Sequence, residues 1–167
     1  MTYWNAGVGA LMVAGTVAVG AQAPPPPATA KPFALALALE AAQAALASCQ
    51  SANSAAVVEV MDTAQNPKVI LVADGARANL VEFARRKAYT VIKTGMTSAE
   101  FGASVGPQGR GSGPINGDAN LITFGGALPI KVNDEIVAAL SVSGPTGPAA
   151  DEACAKAGLE KIRDRLK

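Results

Sequence analysis

The chain has no histidine among its 167 residues. That one absence removes the Ser-His-Asp triad, Cys-His catalysis and almost every zinc site. Aromatic residues make up only 4% of the chain, too few for stacking platforms that hold single-stranded bases. Charge is scarce as well: 16% of residues are charged and the net charge is +1, so no nucleic-acid partner is expected. What remains is apolar. Half of the residues are hydrophobic, and the length suits one domain with a real core.

The first residues read "MTYWNAGVGALMVAGTVAVGAQAPPPPATAK". An apolar run from Ala6 to Gly20 leads into Ala21-Gln22-Ala23, a small-x-small cleavage pattern, and then into Pro24 to Pro27. The pattern predicts a signal peptide over residues 1–23, a Pro-rich linker over 24–32 and one domain over 33–167. No Lys or Arg precedes Lys31, so the usual positive start is missing, and an uncleaved membrane anchor is the alternative. The apolar run is marginal for spanning, which favours the signal reading. The expectation is a periplasmic or secreted protein with no membrane span after cleavage.

Further along, Leu35, Leu37 and Leu39 alternate as in a short strand, and from Leu39 the spacing becomes helical through Ala42, Leu46 and Cys49. "AAVVEVMD" and "VILVAD" read as a hairpin around "TAQNPK". A helix is predicted from Ala78 to Lys93, closed by Gly95, and a short one follows with Thr97 or Ser98 as its N-cap. Gly102 to Gly117 is an irregular glycine-rich loop. "LITF", "LPIKV" and "EIVAALSVSG" read as strands, the last two joined by a tight Asn133-Asp134 turn, and a final helix carries Asp151 and Glu152 in its first turn. The predicted fold is a single α+β domain with a largely antiparallel sheet of five to six strands flanked by helices.

Three features carry chemistry. Lys87 sits within the apolar stripe of its helix, among Leu80, Phe83, Ala84 and Val91, while Arg85 and Arg86 fall on other faces. A buried ammonium needs a carboxylate from the chain or an anionic ligand. The glycines of "TFGGALPI" lead into a strand, so they cannot cradle a phosphate at a helix start. They mark a close approach of the backbone to another segment or to a flat ligand, and the sequence leaves both open. Cys49 and Cys154 lie at the end of one helix and the start of another. In an exported protein, two antiparallel helices would bring them into a disulfide, the alternative being two buried free thiols.

The segments "LALEAAQAALASC", "ARRKAYTVIKTGMTSAEF", "LITFGGALPIKVNDEIVAALSVSG" and "DEACAKAGLEKI" resemble the GlcG/HbpS-type family of small haem-binding proteins, in order from Leu35 to Ile162. The resemblance implies an α+β domain, a homo-oligomer and, in several members, haem or tetrapyrrole binding. It places a flat ligand over Gly125 and Gly126, with Phe124 and Pro129 as walls, Met96 and Thr97 at the rim, and Lys87 on a ligand carboxylate. The internal rivals for Lys87 are Asp62 and Asp74. The chain departs from the family in its glycine-free "MDTAQNPK" turn and in "GARAN", where many relatives carry a histidine. The iron-ligand candidates are then Met96, Tyr89, Lys87, or no protein group at all. Two other functions compete: a lyase, isomerase or hydrolase acting on a small carboxylate through Lys87, and an oligomeric accessory domain for a partner protein.

Overall fold

The short β-rich segments of the middle of the chain pair with one another, and the alanine-rich helices at its two ends cover one side of the sheet they form. In the computed structural model, Met1 and residues 33–109, 111, 113–144 and 146–166 are described. Apart from Met1, the expected signal peptide and the whole of the linker lie outside these residues. The elements are α1 (Leu35–Ser51), β1 (Val57–Asp62), β2 (Pro67–Val72), α2 (Asn79–Thr94), α3 (Ser98–Val105), β3 (Ala127–Val132), β4 (Glu135–Ser143) and α4 (Pro148–Ile162). One antiparallel sheet runs in the order β2-β1-β4-β3.

Alternation along the strands sorts the core into two layers. Val58, Val60, Leu140 and Val142 meet α1 and α4, while Met61, Ala127 and Ala139 meet Ala88 and Val91 of α2. No helix among the described residues is long and apolar enough to cross a membrane.

The sheet has four strands, not five or six, and both discrepancies have a physical cause. The Leu35-Leu37-Leu39 alternation is the first turn of α1, with Leu35 and Leu39 exposed. The face that packs is alanine instead: Ala38, Ala41, Ala42, Ala45 and Cys49 are buried. Small side chains let α1 and α4 approach closely, since a Cβ added at Gly158 would lie 2.6 Å from the Ala41 carbonyl oxygen. "LITF" is not a strand because α2 takes its backbone groups. Ile122 N donates to Thr90 Oγ1 at 3.0 Å, and Arg86 Nη2 donates to the Leu121 carbonyl at 2.6 Å. Arg86 is therefore buried, contrary to the charged outer face that the helix pattern gave it.

Helix ends and turns follow local chemistry. Gly95 closes α2 with φ 74°. Thr97 and Glu100 form a reciprocal capping box at the start of α3. Asn133 and Asp134 turn β3 into β4 with φ of 49° and 66°. Cys49 and Cys154 form a disulfide between the end of α1 and the first turns of α4, with their Cα atoms 5.4 Å apart.

Candidate functional site

Lys87 reaches the site from the middle of α2 and is only 2% exposed. Its Nζ donates to Asp151 Oδ2 at 2.7 Å and to the Val142 carbonyl at 2.9 Å. Its partner is thus Asp151, not Asp62, which binds Asn66, nor Asp74, which is exposed. Burial lowers the Lys87 pKa and raises that of Asp151, and each charge opposes the shift of the other. Asp151 Oδ1 is buried beside Gly144, whose backbone N–H also helps hold the carboxyl's pKa down.

The sequence held a signal for Asp151. It shares the buried stripe of α4 with Cys154, Ala155, Gly158 and Ile162, at i, i+3, i+4, i+7 and i+11. An acid on that stripe sits opposite the misplaced lysine of α2, although its first-turn position also matches an ordinary helix-dipole acid.

Gly126 explains itself at the same place. With φ of 120°, an added Cβ would lie 2.7 Å from Asp151 Cβ, 2.8 Å from the Val142 carbonyl oxygen and 3.0 Å from Lys87 Nζ. Gly126 therefore makes room for the ion pair, another part of the chain. Gly125 faces the other way, toward Ala99 and Pro148.

In front of this pair lie two neighbouring cavities that share Phe124 and Pro148. The larger, about 430 Å³, is walled mainly by small residues: Ala99, Gly102 and Ala103 of α3, Gly125, and Ala149 of α4. The smaller, about 240 Å³, is lined by Arg77, Phe83, Lys87 and Asp151 among others. Phe124 is 37% exposed between them, and its ring packs edge-on against Phe83 at 6.1 Å. Arg77 makes no salt bridge among the described residues.

Of the residues expected at the site, Phe124, Gly125 and Lys87 line these cavities, and Gly126 lies behind them against the ion pair. Pro129 pairs with Ala139 on the edge strand β3 and lines neither cavity. Met96 is 43% exposed and Thr97 caps α3, and they too lie outside both. The α3 wall was missed, although Ala99, Gly102 and Ala103 recur at i, i+3 and i+4, the spacing of one smooth helix face.

The family described as "Haem degrading protein HbpS-like" matches residues 33–160. The chain belongs to the HbpS-like family. Among solved structures, HbpS is 25% identical, with a TM-score of 0.71 over 79% of this chain and 91% of that one. The Klebsiella pneumoniae protein ORFY is 24% identical, with a TM-score of 0.71 over 84% of this chain and 98% of its own. The PduOC:haem complex is 20% identical, with a TM-score of 0.70 over 79% of this chain and 96% of that one. The last two likenesses speak for the fold alone, and they agree with an HbpS-like α+β domain. No curated protein matches the chain.

Proposed function

We propose that the protein is an exported small-molecule binding protein whose ligand is flat and anionic, haem or another tetrapyrrole-like carboxylate. One observation carries this reading: the cleft across Phe124 sets a wall made mainly of alanine and glycine beside a lobe holding Arg77, whose guanidinium makes no salt bridge among the described residues. A flat ring system buries its faces against such a wall, and a carboxylate suits a guanidinium. Lys87 is already committed to Asp151, so Arg77 replaces it as the anion partner in this reading. The same commitment disfavours Lys87 as a base or electrophile.

HbpS-like membership supports a tetrapyrrole. The small-residue wall and the guanidinium suit the face and carboxylates of a porphyrin, and the lining residues do not support an axial iron bond. Among the described residues, no methionine, tyrosine or cysteine lines either cavity, and Tyr89 instead donates to Asp118 Oδ2 at 2.8 Å. The binding energy would then come from the ring and its acid groups.

Titration with haem and with metal-free protoporphyrin tests this. Both are expected to shift their absorption bands on binding, with dissociation constants within about tenfold of each other. Absence of binding by either porphyrin would remove the proposal, whereas haem binding alone would require an iron ligand that this cleft does not offer.

The disulfide supports an oxidising compartment, hence the periplasmic or secreted location. A homo-oligomer is proposed mainly from the family resemblance, with support from the high apolar fraction and low charge of the chain. A sedimentation mass of one chain at micromolar concentration would contradict it.

A further inference from the structure

On the opposite flank of α2 lies a separate cavity of about 160 Å³, between β1, β2 and α2. That is the size class which accepts one benzene-sized molecule. Its apolar lining includes Met61, Ile70, Val81 and Tyr89. Glu59 lines it from the centre of the sheet and is 0% exposed. Neither oxygen of the Glu59 carboxyl has a hydrogen-bond partner among the described residues.

The cation beside it is already engaged. Arg85 directs Nε and Nη2 to the Glu82 carboxylate at 2.9 Å each, and Nη2 also donates to Asn120 Oδ1 at 2.8 Å. Burying a carboxylate with neither a charge partner nor a donor is among the costliest arrangements in a protein interior. Two acceptor oxygens without partners among the described residues, on a residue that lines a mainly apolar cavity, match a ligand with two parallel N–H donors.

We propose that this cavity binds a small planar organic cation of the amidinium or guanidinium class, docked through two N–H groups on the Glu59 carboxylate. The site is independent of the Phe124 cleft, and either can fail alone. The groups around Glu59 are Glu82, Arg85 and Tyr89 from α2, Asn120 from the following loop, and uncharged Gln65, Pro67 and Ile70 from the hairpin. Of these only Glu59 changes charge near neutrality, because burial lifts its pKa to about 7. Affinity for the cation is therefore expected to rise between pH 6 and pH 8.

Benzamidine, neutral benzamide and anionic benzoate are isosteric probes for calorimetric or NMR titration of the intact protein at pH 8. Benzamidine is expected to bind saturably and at least about tenfold more tightly than benzamide, with benzoate excluded. Glu59→Gln keeps the shape, removes the charge, and is expected to abolish the preference. Ile70→Arg, at an exposed position on the cavity wall, sets a cation there and is expected to compete benzamidine out without touching Glu59. The proposal is overturned by no benzamidine binding, by benzamide or benzoate binding as well, or by undiminished benzamidine binding in the correctly folded variants.

Discussion

Lys87 and Glu59 are both buried ionisable groups between α2 and the sheet, and the fold treats them in opposite ways. Lys87 has a carboxylate at 2.7 Å. Removing one member of such a pair strands the other, so Lys87→Met is expected to cost about 3–5 kcal/mol. Denaturant melts of the ligand-free protein check this, and a loss under about 1 kcal/mol would mean that Asp151 finds water or protonates freely. Glu59 has no hydrogen-bond partner among the described residues, and its pKa rises from 4.5 to about 7 through burial, with Arg85 opposing the shift. The native state then holds a proton that the unfolded chain releases, so stability is full below pH 4.5 and falls as pH rises toward 7. The loss is at most about 3 kcal/mol. Wild type and Glu59→Gln should therefore diverge between pH 5 and pH 8 in parallel denaturations, with the glutamine variant the more stable at the higher pH.

At the scale of elements, the hairpin, the Gly95 stop, the Thr97 cap and the Asn133-Asp134 turn were all legible, because each depends on a few adjacent residues. What was not legible depended on distant partners. "LITF" has strand composition, but Thr90 and Arg86 satisfy its backbone, and nothing within four residues announces that. The Leu35–Leu39 alternation misled because its packing face is alanine, whose weak apolar signal the leucines mask. Within the site, Lys87 was visible as a charge out of place, whereas Asp151 was hidden by its plausible role at a helix start. Thr90→Val tests the α2 clamp. It keeps the shape, removes the hydroxyl that accepts from Ile122 N and donates to Arg86 O, and leaves a buried N–H unpaired. A destabilisation of about 1–3 kcal/mol is expected from thermal or urea melts, with the loss of order centred on residues 115–123 in hydrogen exchange.

Across the whole molecule, the ion pair, the cleft and the disulfide meet on one helix. α4 supplies Asp151 to Lys87, Pro148 and Ala149 to the cleft, and Cys154 to α1. The link spans 105 residues of chain, and closing a loop of that length contributes about 4–5 kcal/mol in the chain-entropy view, often less in practice. Its effect should not stop at global stability. Cys154 lies three residues beyond Asp151, so the first turn of α4 is held to the protein by the disulfide and by the Lys87 bond together. Reduction removes one of these two anchors and lets Pro148 and Ala149 drift from Gly125 and Ala99. Mild reduction, or a Cys49→Ala/Cys154→Ala double variant, is expected to lower the melting temperature and weaken protoporphyrin binding by about tenfold. Both readouts can be taken on one sample, by thermal melt and by absorbance titration below the transition. A lower melting temperature with unchanged affinity would show that packing alone seats α4 at the cleft, and would assign the disulfide to stability only.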